Sequence, residues 1–228
     1  MTEGSEVSIV GRLANRYARH PAVHALLQLV PGWGAADTLL QRRADEIRSD
    51  RMKTFFDALA SGELELTDEL IQTEDFLHCY FSTLRAALNT RQRKKIQLLA
   101  SLLSASLKPE TNTGTDEFEE LLAVLEAISY REFAVLCDLH RRELRYPQKE
   151  GQNDLQVALQ YWADFKNDSV QKISIPEEAF NAFMAKLERT GLYLRITAGF
   201  WDYEGDVGRT TTLFARLLEF VTQNEVQP

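Results

Sequence analysis

Residues 174–197, SIPEEAFNAFMAKLERTGLYLRIT, contain the change of pattern that decides the fold. Up to Leu187 the apolar residues recur every three or four positions, which is the spacing of a helix with one buried face. From Leu192 to Thr197 apolar and polar residues alternate, which is the spacing of a strand. The stretch therefore predicts a helix followed directly by a strand.

Both ends of this helix carry boundary signals. Ser174 and Glu177 have the spacing of a capping box, and Pro176 falls in the first turn, where its missing N–H is tolerated. Gly191 suits the left-handed residue that ends a helix. Beyond it the sequence predicts a turn-rich connection, a second short strand and a closing helix, which span Gly199–Gly208, Arg209–Thr211 and Leu213–Val221.

Two further helices precede this region, one from Phe118 to Ile128 and one that opens on the capping box Ser129–Glu132. Residues 146–153 contain Pro147 and Gly151 and are predicted to form a loop. Three helices, a β-hairpin and a final helix follow one another in the order of a winged-helix domain with a C-terminal extension.

The first half of the chain has helical spacing throughout. Helices are predicted at Val7–Tyr17, at Asp37–Leu59, after the N-cap Thr73, and at Arg91–Leu107. The Pro-, Gly- and Thr-containing segment Lys108–Asp116 is the clearest linker. The fold class predicted is mainly α, with a helical domain at 1–110 and an acidic winged-helix-like domain with a small β-hairpin at 115–228.

Charge is unevenly distributed. The net charge is −8: positions 1–108 hold 14 basic and 13 acidic residues, a net +1, so positions 109–228 hold 12 basic and 21 acidic residues, a net −9. Because nucleic-acid binding depends on neutralising phosphates with Lys and Arg, the second half is a poor candidate for a duplex-binding surface.

The sequence also predicts the state of the cysteines and the cellular location of the protein. The two cysteines, Cys79 and Cys137, lie in apolar helical patterns and are predicted to be small buried residues. The N-terminus has no apolar run typical of a signal peptide, so we expect a cytoplasmic protein. Ala22–Leu40 is interrupted by Pro31 and by polar residues, so it does not predict a transmembrane span. A weak peripheral membrane contact through its first part and Trp33 remains an alternative to two packed helices.

The densest positive charge is the basic cluster, which we define as Arg91, Arg93, Lys94 and Lys95. At helical spacing Arg91 and Lys95 share one face, which favours binding to phosphate or to an acidic partner. The alternative is a solvated start of a helix. Because cations oppose the dipole at that end, a compensating group is expected.

The predicted hairpin supplies a second candidate contact, made of Phe200, Trp201, Tyr203 and Arg209. Aromatic side chains in a loop suit a hot spot for a protein partner, although the loop could equally fold back over the preceding helix. That helix carries Glu177, Glu178 and Glu188, whereas helices that read bases present Arg, Lys, Asn or Gln. Nucleic-acid binding through this face is therefore disfavoured.

Reaction motifs are missing. His20, His24, His78 and His140 lack metal-ligand spacing, and no phosphate-binding Gly-rich loop or hydrolase elbow occurs. We accordingly predict no catalytic residues, no metal and no cofactor.

One family shares several short stretches with this chain. Lys95–Ser106 (KIQLLASLLSAS), Phe118 and the pair Ile128-Ser129 resemble the central region of the abortive-infection alpha (Abi-alpha) family of bacterial helical proteins. Gly191-Leu192 and Thr211-Thr212-Leu213 are similar to its C-terminal end, although Phe214 stands where that family commonly has glycine. The resemblance implies an association with phage defence and offers no catalytic residues.

Together these observations predict a non-enzymatic protein-interaction module of a bacterial phage-defence or regulatory system, which binds a protein partner or itself. The alternative is a DNA-binding transcriptional regulator that uses the basic cluster and a winged helix. A hydrolase with a dispersed site is the third class.

Overall fold

The chain is mainly helical and contains one two-stranded antiparallel sheet, which confirms the predicted fold class at that level. The computed structural model describes residues 13–28 apart from 14 and 18, then 39–61, 68–108, 111, 114–197 and 207–222. It forms two compact units, residues 1–122 with 220–228 and residues 123–219. This division falls after the linker expected at Lys108–Asp116, and the domain boundary at 110–115 stays a prediction.

The first unit is built on three mutually packed helices. Its described helices are α1 (Pro21–Gln28), α2 (Leu39–Ser61), α3 (Asp68–Ile71), α4 (Glu74–Asn89), α5 (Arg93–Ser106) and the beginning of α6 (Thr115–Ala127). The helices α2, α4 and α5 contact one another in pairs and enclose the core. Phe55, Phe56 and Leu99 are fully buried there. Tyr80 is also buried, and its hydroxyl donates to the Leu26 carbonyl at 2.7 Å.

Thr73 caps α4 as predicted, because its hydroxyl accepts from the Phe76 N–H at 3.3 Å. The apolar side chains of α1, Val23, Leu26 and Leu27, are buried in the protein, which favours packed helices over a membrane contact. Trp33 lies outside the described residues. Among the helices described, none combines the length and the apolar character needed to cross a bilayer.

The second unit contains the sheet. After the end of α6 come α7 (Tyr130–Arg145), α8 (Asp154–Ala158), α9 (Trp162–Lys172), a 3-10 turn (Glu177–Ala179), α10 (Phe180–Glu188), β1 (Tyr193–Arg195), β2 (Gly208–Thr210) and α11 (Thr212–Thr222), of which this unit holds residues to 219. The strands pair with Tyr193 opposite Thr210 and Leu194 opposite Arg209. Trp162, Phe165 and Phe180 pack their rings against one another in the core.

The capping box at the start of α7 forms as predicted. The Ser129 hydroxyl accepts from the Glu132 N–H at 3.2 Å, and the Ser129 N–H donates to Glu132 Oε2 at 2.6 Å. Gly191 is left-handed, with φ 75°, also as predicted. The capping box and Gly191 each mark a helix end that the amino-acid pattern predicts.

The prediction of a second capping box, at Ser174, is wrong. Ser174 has φ 56°, and α10 begins only at Phe180, after the 3-10 turn. The reason lies in Arg131, whose guanidinium donates to the Ile173 carbonyl at 3.1 Å and also to the Ser174 carbonyl. These bonds from another helix hold the segment in a conformation that a helix start does not allow.

Candidate partner-binding site

The basic cluster lies at the start of α5, but its geometry differs from the expectation. The helix begins at Arg93, with Gln92 at the N-cap making no side-chain capping bond. Arg91 therefore precedes the helix, and the helical i,i+4 pairing of Arg91 with Lys95 is not formed. Arg91, Arg93 and Lys94 are exposed, whereas Lys95 is half-buried.

Asp50 supplies the negative charge that we expected to compensate the cations at the start of the helix. Its carboxylate lies 2.7 Å from Arg93 Nη2, and both side chains are at least half exposed. The neighbouring Arg51 donates to the carbonyl of Leu88, near the end of α4. These two contacts fix the α4–α5 connection against the middle of α2.

The cluster is consequently an ordered cationic surface rather than a set of side chains on a loose loop. The first turn of α5 contains no acidic residue, so the positive end of the helix dipole adds to the charges of Arg93 and Lys94. Such a surface attracts a carboxylate or a phosphate.

In the second unit, several cations of the predicted winged-helix face are engaged within the protein. Lys186 Nζ lies 2.7 Å from Glu132 Oε1, Arg195 Nε lies 3.7 Å from Glu188 Oε2, and Arg209 Nη1 lies 3.0 Å from Asp154 Oδ2. Of the hairpin contacts expected from the sequence, Arg209 is thus an exposed residue of β2 paired to α8. Phe200, Trp201 and Tyr203 lie outside the described residues.

A cluster of polar side chains that the sequence did not predict joins β2 to α7. Glu143 accepts the Thr210 N–H at 2.6 Å and also the Thr210 hydroxyl. Nδ1 of His140 lies 3.0 Å from the same hydroxyl oxygen. His140 and Glu143 are one turn apart on α7, but nothing in the local sequence indicates that Thr210 meets them.

The direction of these hydrogen bonds determines what the cluster of Glu143, His140 and Thr210 can do. The Thr210 hydroxyl has one proton and directs it to Glu143, so His140 must donate from Nδ1 to the hydroxyl oxygen. A histidine that activates a nucleophile has to accept that proton instead, so His140 is not oriented as a base toward Thr210. Together the three side chains hold β2 on α7.

Metal and thiol chemistry find little support in the described part of the chain. No group of three residues able to hold a metal ion occurs there. His78 instead pairs with Glu119 at 2.7 Å on the surface of the first unit. Burial, aided by Asp75 and Glu119, raises the pKa of Cys79 to about 11, so its thiol is protonated at neutral pH. Neither cysteine forms a disulfide; Cys79 is buried as predicted, whereas Cys137 is only partly buried.

Comparison with protein-family models, with curated proteins and with solved structures returned no match. The assignment of a function to the basic cluster thus depends on the chemistry of this chain's own residues.

Proposed function

We propose that this protein is a non-enzymatic protein-interaction module whose basic cluster, Arg91, Arg93, Lys94 and Lys95, binds the acidic face of another protein or of a second copy. The observation that carries the proposal is the ordered, exposed cationic surface at the start of α5, fixed by the Arg93–Asp50 and Arg51–Leu88 contacts. A fixed surface loses less conformational entropy on binding than a mobile one.

A protein partner is favoured over a duplex by the second unit. Its helices followed by an antiparallel hairpin have the order of a winged helix, and we propose that architecture for it. A groove reader needs cations on its recognition helix and wing, yet Lys186, Arg195 and Arg209 are each paired with a carboxylate of the same chain. Phosphate contacts would have to break those pairs.

The second candidate is a DNA-binding regulator, and the observation that favours it is the same basic cluster. Arg and Lys at a helix start bind phosphate as readily as carboxylate. An association with phage defence in a bacterium is the context that the Abi-alpha resemblance implies, and a cytoplasmic location is expected from the cysteines and the N-terminal sequence.

Reversing charge in the cluster tests the proposal. We expect the double variant R91E/K94E to keep the helicity of the wild type, because both side chains are exposed. It should lose the self-association or the capture of a purified partner that the wild type shows by light scattering and affinity pull-down. The matched control R189E/R195E, on the winged-helix face, should keep both.

A duplex-binding titration separates the two candidates. We expect no anisotropy change with a labelled DNA duplex at low salt. Binding that weakens steeply with added salt and is lost in R91E/K94E would establish the regulator instead. A strictly monomeric chain that captures neither protein nor duplex would contradict both.

A further inference from the structure

We propose a second docking surface, at the end of α7, that binds an acidic segment of a partner protein carrying apolar side chains. This α7-end surface consists of Arg141, Leu144, Arg145, Tyr146 and Leu159. It belongs to the second unit and shares no residue with the basic cluster, so it does not depend on the function proposed above.

The apolar part of the surface is unusually open to solvent. Leu144 is 69% exposed and Leu159 is 55% exposed, the two highest values among the large hydrophobic residues described. Tyr146 is 39% exposed. Isolated exposed apolar side chains are common in proteins, so these three indicate a binding surface only if they lie together.

An aromatic contact joins the two segments that carry them. The ring of Tyr146, just beyond α7, lies 5.6 Å from the ring of Tyr161, centroid to centroid. Tyr161 is buried and follows Leu159 by two positions. The end of α7 and the segment after α8 therefore meet at this ring pair and share one region of the surface.

The surface is also ordered in the free protein. The Tyr146 N–H donates to the carbonyls of Arg142 and Glu143, at 3.1 and 3.2 Å. The loop that follows is closed by Gln152, whose N–H donates to the Lys149 carbonyl at 3.0 Å and whose side chain accepts the Lys149 N–H at 3.1 Å. Tyr and Arg, two of the residue types of this surface, are enriched in binding hot spots, and a pre-formed surface loses less conformational entropy on binding.

Charge identifies the occupant. Arg141 and Arg145 flank Leu144 on the last turns of α7, and both are exposed, as is Lys149 in the loop. Asp138 approaches Arg141 only to 3.5 Å. In a protein of net charge −8, this grouping of cations around apolar side chains complements a segment that combines Asp or Glu with apolar residues. Guanidinium groups bind carboxylates through two parallel hydrogen bonds.

A protein segment fits this surface better than a nucleic acid. Tyr and Arg could stack on unpaired bases, but the two most exposed large hydrophobic side chains are leucines, which offer no ring to a base. Removing Leu144 and Leu159 from water requires an apolar partner surface, which an amphipathic peptide supplies.

Selection from a display library of short random peptides against the full-length protein tests this proposal. We expect the selected peptides to be enriched both in Asp and Glu and in Leu, Phe or Trp. Binding of a synthesised selected peptide, followed by anisotropy, should weaken at least about tenfold in L144S/L159S and severalfold in R145Q.

Matched variants give the controls. I47S removes an exposed apolar side chain elsewhere, and R189Q removes an exposed cation elsewhere, so both should bind the peptide as the wild type does. R91E/K94E should also bind normally, which separates this surface from the basic cluster. Circular dichroism should show unchanged helicity in every variant, since the altered side chains are exposed.

The proposal is overturned if no peptide is selected, if the selected peptides lack acidic residues, or if L144S/L159S binds them as well as the wild type does. It is also overturned if a single-stranded oligonucleotide binds this surface and the peptides do not compete with it.

Discussion

Lys186 Nζ lies 2.7 Å from Oε1 of Glu132, whose side chain is only 3% exposed. The same carboxylate accepts the Ser129 N–H that opens α7. A lysine of α10, which a groove-reading helix would offer to phosphate, thus completes the cap of a different helix. This pairing commits Lys186 to the stability of the second unit.

Replacing that lysine should destabilise the protein. In K186M the buried Glu132 carboxylate keeps its bonds to Ser129 but loses its cation, and we expect a loss of about 1–2 kcal/mol in the free energy of unfolding. This is less than for a fully buried pair, because Lys186 is half exposed. Urea unfolding measures the loss. K172M, which removes a more exposed lysine from Asp168, is the control and should change stability by less than about 1 kcal/mol.

The same carboxylate should make stability depend on pH. Burial raises the pKa of Glu132, but the hydrogen bonds from Lys186 and Ser129 outweigh it and hold the pKa below the ordinary value of 4.5. Its contribution is therefore complete above that value and is lost as the pH falls through the folded pKa. Unfolding measured from pH 7 to pH 3 should show a shallower acid loss in E132Q than in the wild type, and parallel curves would contradict the assignment.

Two serines with the same sequence signature should respond differently to substitution. S129A removes a formed capping box and should cost about 1 kcal/mol of stability. S174A removes a hydroxyl from a box that does not form, so it should lie within about 0.5 kcal/mol of the wild type. Equal losses in thermal or urea unfolding would mean that Ser174 caps a helix after all.

Gly191 should resist substitution because of its backbone. With φ 75° an added Cβ is strained, although it would meet Leu213 only at an ordinary 3.6 Å. We expect G191A to lose about 1–2 kcal/mol of stability. G114A, at a position with open space and no left-handed φ, should be neutral or slightly stabilising.

The clamp between β2 and α7 should be measurable in T210V. The substitution keeps the size of the side chain but removes the hydroxyl that donates to Glu143. We expect a loss of about 1–2 kcal/mol in urea unfolding. T54V removes the exposed hydroxyl that bonds within α2 and should cost less than about 1 kcal/mol. If both variants lost the same free energy of unfolding, the hydrogen bond from Thr210 to Glu143 would stabilise the protein no more than the exposed bond of Thr54 does.

Periodicity predicted the long elements well and the short ones poorly. The helix from Asp37 and the helix after Thr73 each span enough residues for one spacing to dominate. The strand at Leu192 is shorter, with three residues, but its alternation follows directly on a helical spacing. The helices α8 and α9 were not predicted, and for α8 the reason is its length of five residues. A local signal was present, since Asn153 and Gln156 form a capping box with both bonds in place.

The candidate site was visible in the sequence only as composition. The basic residues could be named, but not the Asp50 partner of Arg93, which is 43 positions away. His140 and Thr210 are 70 positions apart. Neither contact has a periodic signature, because each depends on how separate elements pack. The exact start of the helix, at Arg93 instead of Arg91, was not predictable either, and the expected pairing of Arg91 with Lys95 depended on it.

The way β2 is held has a consequence for how this protein can diverge. In most hairpins the length and type of the turn set which residues face each other. Here contacts outside the turn also hold the pairing: Glu143 accepts bonds from Thr210, and backbone bonds join Thr211 to Leu192 at the base and Ile196 to Val207 at the other end of the ladder. The register that keeps Tyr193 in the interior is therefore supported by a helix as well as by the partner strand, so a change in α7 at Glu143 can alter how the strands align.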